Sequence, residues 1–406
     1  MDAAFPVGFR DDDARAVLAE IDAEETIAFL RDLVRAPSVN PPGDVTEAAA
    51  VCERPLVEAG FAVRRVEHAP GKPNIVAELG AKDGPRLCFN AHLDVVPIGD
   101  EAAWTYPPFG AEVVDGRVYG RGAGDDKASV TAQVMAGVAL ARSGVPLRGR
   151  LLVTEVADEE TSGGGARHLI AAADLRPDGV IVGEQTLNRV AIGEKGSAGV
   201  EIVVSGRTAH GALPWEGANA IEAMAHVIVA LREQVYPRLA GRTHRFFLPS
   251  SSSVNMIAGG VKENVVPDRC SIYIDRRIIP GEDPIEASAE IRSAAEAAVA
   301  ELQGITVSVF AIPDAIPATM SDPEGSLAKA MLAANGYLGF STDLTGFSMA
   351  SDGRFFAAAG YPTVIYGPGD PRLAHVPDEW VGVDEVLEAT RAYALGALAL
   401  LGRGDG

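Results

Sequence analysis

Several hydrophobic runs in this chain break off at a carboxylate or an imidazole. His92 and Asp94 follow Leu87-Cys88-Phe89-Asn90-Ala91, and Asp125-Asp126 follows the glycine-rich turn Tyr119-Gly120-Arg121-Gly122-Ala123-Gly124. Asp158-Glu159-Glu160 ends the run from Leu151 to Ala157, Glu184 ends Val180-Ile181-Val182-Gly183, and His375 lies in the loop after Thr363-Val364-Ile365-Tyr366. Each has an ordinary reading when taken alone. A His-x-Asp pair can be a hydrogen-bonded surface pair, adjacent acids ahead of a helix can be N-terminal caps, an acidic triplet before Gly163-Gly164-Gly165 can be a solvated turn, and a loop histidine can be structural. Gathered at one point, two imidazoles and at least three carboxylates form a mixed nitrogen and oxygen donor set that suits zinc, cobalt or manganese. The simplest use of so many ligand types is one carboxylate touching two ions, and Asp125 is expected to be that residue. His92 and Asp94 are two apart at a strand end, so their side chains share a side. Asp94 is expected to orient the imidazole through its second nitrogen.

The elements needed to position these residues follow from periodicity. Helices are expected over residues 23–34 and 47–60, and strands over 61–66, 74–79 and 86–90. Beyond the glycine-rich turn come a small-residue helix (128–143), a buried strand (150–157), a helix (165–173) and a short strand (179–183). Strands alternating with helices predict an α/β fold with a mostly parallel sheet, whose ligand site lies beyond the carboxyl ends of the strands. From about residue 194 the order becomes strand, helix, strand, strand, helix, strand (199–205, 217–235, 252–258, 269–278, 284–302, 305–310), a ferredoxin-like βαββαβ unit. The earlier pattern resumes with a helix at 324–335, a strand at 363–366 and a helix at 383–401. The expected organisation is a catalytic domain built from 1–193 and 312–406, interrupted by an inserted domain at 194–311.

Bulk properties exclude several classes. A chain of 406 residues suits two domains, each with its own core. The formal charge of −21 disfavours nucleic acid and anionic membrane as partners, because both need clustered Lys and Arg. Cys52, Cys88 and Cys270 are far apart and show no C-x-x-C spacing, so neither a disulfide framework nor a cysteine-rich zinc site is indicated. A reducing cytoplasm is the expected location. The first residues lack the basic and apolar regions of a signal peptide, and no apolar run is long enough to span a membrane.

Together these motifs resemble the metallopeptidase family of acetylornithine deacetylase, succinyl-diaminopimelate desuccinylase, carboxypeptidase G and aminoacylase. The likeness runs from Phe29-Leu30-Arg31-Asp32-Leu33-Val34 to His375. It implies that His92 and Glu184 bind one metal ion, Glu160 and His375 a second, and Asp125 both, with a cis peptide after Asp125. It also implies that Asp94 supports His92 and that Glu159 is the general base. In the inserted domain it points to His210, within Thr208-Ala209-His210-Gly211, as a residue that reaches the partner subunit's site and stabilises an oxyanion. Arg276 would grip a substrate carboxylate with both guanidinium arms, assisted by Asn264. Taken without the resemblance, His210 and Asn264 read as turn residues and Arg276 as a strand-end charge.

The activity expected on this basis is dinuclear metal-dependent hydrolysis of an N-acyl amino acid or small peptide with a free carboxylate. Zinc is the first choice of metal, the reaction is acetylornithine deacetylase-like, and a homodimer forms through the inserted lid domain. Dipeptidase, carboxypeptidase and desuccinylase activities are alternatives. Ser351-Asp352-Gly353-Arg354 matches a desuccinylase pattern, but Ser348-Met349-Ala350 stands where that enzyme usually has Gly-Gly-Thr. A non-catalytic metal-binding scaffold is the alternative of another class; such a protein would be expected to lose Glu159 or a ligand, and this chain retains them.

Overall fold

The computed structural model describes residues 5, 7–312 and 315–402. They divide into two compact units. One takes the chain up to Gly193, Met320–Phe347 and the residues from Ser351 on; the other takes Glu194–Thr319 and Ser348–Ala350.

The first unit is built on an eight-stranded sheet. At its centre, Arg150–Val156, Arg86–His92, Gly179–Gly183 and Thr363–Tyr366 lie side by side and parallel, so their carboxyl ends finish at one edge. All four are buried, and their continuous apolar runs are what a sheet covered on both faces requires. Antiparallel strands flank this core. Pro73–Gly80 pairs with Arg150–Val156, Ala62–Glu67 pairs with Pro73–Gly80, and Ala191–Glu194 pairs beside Thr363–Tyr366. The fold class expected from the alternation is therefore present, with the parallel arrangement concentrated where the acids and imidazoles emerge.

Two helices, Lys127–Ser143 and Val383–Leu401, are apolar on almost every side and buried along most of their length. They form much of the principal core together with Ala23–Arg35 and Thr46–Glu58. The glycine-rich turn before Lys127–Ser143 lies tight against its surroundings. Gly122 has a φ of +82°, and a Cβ there would lie 2.5 Å from the Val95 side chain. Elements outside the expected set include the short helix Asp11–Ala19, the helix Gly353–Ala358, and a small sheet of Glu112–Val114, Arg117–Tyr119 and Trp380–Gly382. Strands of three residues are too short for alternation to register.

The second unit has an antiparallel sheet in the order Ser251–Gly259, Arg269–Ile278, Val200–Ser205, Thr306–Ala311. With the helices Ala220–Ala230 and Pro284–Val299 this is the ferredoxin-like order, and the two helices pack on a core of their own. Along Arg269–Ile278 burial alternates strictly, as one covered face demands. Ile316 pairs with Ser197, which keeps the segment before Thr319 with this unit.

Candidate active site

Because the four central strands are parallel neighbours, their exits deliver side chains to a single cleft edge, each strand about 4.8 Å from the next. His92 is the last residue of its strand. Glu159 and Glu160 follow Arg150–Val156, Glu184 follows Gly179–Gly183, and His375 lies beyond Thr363–Tyr366. Asp125 arrives from the glycine-rich turn, and its bond to Asp126 is cis, as the resemblance implies.

Asp125 faces two ways. Its Oδ1 is 3.2 Å from His92 Nε2, and its Oδ2 is 3.3 Å from His375 Nε2. His375 Nε2 is also 3.3 Å from Glu160 Oε1. One ligand atom from each of His92, Asp125 and Glu160 falls within 4.8 Å of the others, a spacing that a single cation spans. Glu184 is buried in the same region, and the charges of Asp125, Asp126 and Glu159 bear on it.

The electrostatics point the same way. Burial pushes Glu184 and Glu159 well above the usual carboxylate range, and neighbouring acids push further: Asp125 and Asp126 on Glu184, Asp352 and Glu160 on Glu159. Glu160 is raised mainly by burial and then by Asp125. His375 is pushed up to about 10 by its contacts with Asp125 and Glu160. Carboxylates crowded out of water and repelling one another, with two imidazoles between them, form a donor set that divalent cations would satisfy.

The support of His92 differs from expectation. Its Nδ1 contacts the backbone oxygen of Asp94 at 2.9 Å, whereas the Asp94 carboxylate is 3.8 Å away. A carbonyl accepts only, so His92 Nδ1 donates to it, while Nε2 donates to Asp125 Oδ1. Although burial alone would lower it, that bond and the charges of Asp126 and Glu159 hold the imidazole well above its usual range, and Nε2 is the nitrogen placed to face an ion. The Asp94 carboxylate instead accepts from the backbone N–H groups of Glu159 and Glu160, at 3.2 and 3.3 Å, and from Asn40 Nδ2 at 2.8 Å. Its role is to hold the acidic turn, and the reason is geometric: two successive N–H groups of a tight turn converge on one carboxylate better than a ring already engaged by a main-chain oxygen.

Sequence reasoning overlooked Asn40, which links Asp94 to Asp158 at 2.9 Å. Asp158 is held below the usual range, since contacts with Lys72, His68 and Asn40 outweigh its burial. It also overlooked Asp126, whose Oδ2 accepts from the backbone of His92 at 3.4 Å and which burial pushes up to about 7. Asp352 is buried beside Glu159, and Arg354 Nη2 approaches Glu159 Oε1 at 4.0 Å. The Ser-Asp-Gly-Arg motif was the available signal for that pair.

Within the second unit, His210 and Asn264 lie together. His210 pairs in register with Val265, Gly211 N donates to the Asn264 backbone oxygen at 2.8 Å, and both side chains belong to exposed residues. Arg276 departs from expectation. It is fully buried, its Nη2 donates to Glu282 at 2.6 Å, and its Nη1 donates to the Arg277 backbone. An arginine at an even position of an alternating strand turns inward, and this one is consumed by a carboxylate of its own unit, so neither the exposed strand-end charge nor the open fork is present.

Residues 88–398 match the family model described as Peptidase family M20/M25/M40. The chain belongs to this family. Similar proteins include the succinyl-diaminopimelate desuccinylase of Rhodospirillum centenum, 34% identical over 388 residues that cover 91% of this chain and 96% of that one. The desuccinylase of a Caulobacter species is 33% identical over 390 residues, covering 93% and 96%. Among solved structures, a tripeptidase of Staphylococcus aureus aligns with a TM-score of 0.77 at 20% identity, covering 93% of this chain and 99% of that one. A dinuclear metal-binding M20 peptidase of Bacillus subtilis gives 0.71 at 19%, covering 93% and 98%. Family membership makes the chain a hydrolase, as its motifs imply. Among the described residues no helix is long and apolar enough to cross a membrane, and all three cysteines are free and buried.

Proposed function

We propose that this M20 hydrolase cleaves the amide bond of an N-acyl amino acid at two divalent ions, and that an N-succinyl diamino dicarboxylate is the substrate class it prefers. The observation that carries the dinuclear reading is the two-sided placement of Asp125, one oxygen toward His92 and the other toward His375, whose Nε2 also contacts Glu160. Acetylornithine deacetylase-like activity, the first expectation from sequence, has no specific support from the two relatives described above, both named as desuccinylases. The Ser351-Asp352-Gly353-Arg354 motif favours the same class.

His92 and Glu184 would hold one ion, Glu160 and His375 the other, and Asp125 both, with zinc the first choice and cobalt or manganese alternatives. Bound there, the ions lower the pKa of a water molecule and polarise the scissile carbonyl. Glu159 takes a proton from the attacking water and delivers it to the leaving amine nitrogen. Asp94 keeps the Glu159 carboxylate in place by anchoring that residue's own N–H. His210, acting from the partner subunit of a homodimer, would stabilise the developing oxyanion, and Asn264 would contact the substrate. Arg276 takes no part in substrate recognition in this reading, because Glu282 already occupies it. Met256 and Ile257, 68% and 61% exposed on the edge strand Ser251–Gly259, support dimerisation through the second unit. Unpaired cysteines favour a cytoplasmic location.

The test is a panel of N-succinyl, N-acetyl and N-formyl amino acids and dipeptides, offered to protein loaded with each metal. The highest kcat/KM is expected for the N-succinyl diamino dicarboxylate. Glu159→Ala should lower kcat by roughly 10²–10⁴-fold while still binding both ions. Equal rates in wild type and Glu159→Ala, or no hydrolysis anywhere in the panel, would remove the proposal.

A further inference from the structure

Asp125 is held from behind by a residue far away in sequence. Glu379 is fully buried, and its Oε1 accepts from the backbone N–H groups of Gly124 at 3.0 Å and Asp125 at 2.9 Å. Its Oε2 accepts from Arg121 Nη1 at 2.6 Å. Arg121 is itself 2% exposed, donates to the Val376 backbone oxygen at 3.3 Å and packs with its guanidinium 5.2 Å from the centre of the Trp104 ring. The Glu379 backbone oxygen accepts from Gly120 N at 2.9 Å. Both ends of the glycine-rich turn are thus tied to one residue.

That residue is four positions after His375. The loop that carries one nitrogen ligand and the turn that carries the shared carboxylate are therefore fastened by backbone pairing at Gly120, by Arg121, and by the buried Glu379 side chain, which reaches the amide of Asp125. Strand pairing of Tyr119 with Trp380 brings the two segments, 250 residues apart in sequence, side by side, and the Glu379 side chain then acts on the Gly124-Asp125 peptide itself, beyond the end of that pairing. Two consecutive N–H groups on one carboxylate oxygen fix the orientation of the Gly124-Asp125 peptide, and with it the direction in which the Asp125 side chain leaves the turn. A buried carboxylate needs a counter-charge to stay there, and Arg121 is that charge.

We infer that Glu379, with Arg121 as its counter-ion, is a positioning residue that keeps Asp125 and His375 at the separation the two ions require. The inference rests on the reading of Asp125 as the shared ligand. It extends that reading to a group that touches neither ion nor substrate.

Two double variants separate positioning from mere support of the fold. Both Arg121→Met/Glu379→Leu and Arg121→Met/Glu379→Gln remove the ion pair as a pair, so neither leaves a lone buried charge. They differ in the oxygen that accepts from Gly124 and Asp125, which only the glutamine retains. Cobalt(II) titration of the metal-free proteins, followed by visible absorption and calorimetry, reads the affinity of each site. The leucine variant should bind the weaker ion about 10–100-fold less tightly than wild type, the usual cost of losing a group that orients a ligand. The glutamine variant should return to within about threefold of wild type. Equal affinities in the two doubles would overturn the inference, whatever their melting temperatures. Asp125→Asn is the control: if it held both ions as tightly as wild type, the shared-ligand reading would fall and this inference with it. If Asp125→Asn lost them and the leucine variant did not, the positioning role alone would fall.

Discussion

Two glutamates, one buried in the first unit and one half-buried in the second, have opposite electrostatic fates. Glu184, in the first unit, sits among Asp125, Asp126 and Glu159, and burial followed by those like charges holds it well above the ordinary range. Glu282, in the second, is drawn down to about 2 although burial alone would raise it, because Ser250, the Ile279 N–H, Arg242 and Arg276 all donate to it. The Arg242 and Arg276 contacts are both 2.6 Å, and the Ile279 N–H is at 2.9 Å. The second unit carries its cations in its own sequence and uses them to bind itself together. The first gathers anions that its own chain leaves largely unneutralised, an arrangement that invites positive charge from outside. A saturated network reads as architecture, and an unsaturated one as a site.

The comparison can be broken most decisively with a chelator. Stripping divalent ions from the wild-type protein should abolish hydrolysis and lower the midpoint of thermal unfolding of the first unit. Ion restored at 100 times its dissociation constant should return about 2.7 kcal/mol for each site. A melting curve indifferent to chelator and ion would show that the first unit's acids are as self-sufficient as Glu282.

A smaller effect is expected from Glu282→Ala. Two arginines would lose a shared acceptor, one of them fully buried, and the second unit should lose about 2 kcal/mol, measured by denaturant unfolding. The number of ions bound should stay the same. A fall in metal content would mean that the two networks are not independent.

A third effect is in the pH dependence. The folded value of Glu282, about 2, lies below its ordinary 4.5, so its stabilisation is complete above 4.5 and is lost as pH falls toward 2. Asp352 behaves in the opposite sense. Burial raises it from 3.8 to about 7, so in metal-free protein its contribution is fully present below 3.8 and is lost as pH rises through 7. Unfolding midpoints of chelated protein between pH 4 and 8 should decline toward the alkaline side, and Asp352→Asn should flatten that decline. An unchanged slope in Asp352→Asn would assign the decline to other groups.

Much of this was legible before any coordinates. Strand exits at His92, Glu160 and Glu184 could be read because buried parallel strands are continuous apolar runs, and the first polar residue after such a run marks where the chain leaves the core. The ferredoxin-like insertion was legible for a similar reason, since its strands and helices are long enough for their periods to register. The three-residue strands Glu112–Val114 and Arg117–Tyr119 were not, because their pairing with each other and with Trp380–Gly382 is decided by partners rather than by pattern.

The sequence alone therefore determined the inventory of ligand-type residues, the family they belong to and the order of the elements that carry them, since residue type and local period are properties of contiguous chain. The tertiary structure decided how those residues are used. It turned the Asp94 carboxylate toward the Glu159-Glu160 turn and left its backbone oxygen to His92, buried Arg276 against Glu282, and brought Glu379 beneath Asp125 across 254 residues of sequence. Those partnerships are hydrogen bonds between distant loops, and only the closed path of the whole chain sets their directions.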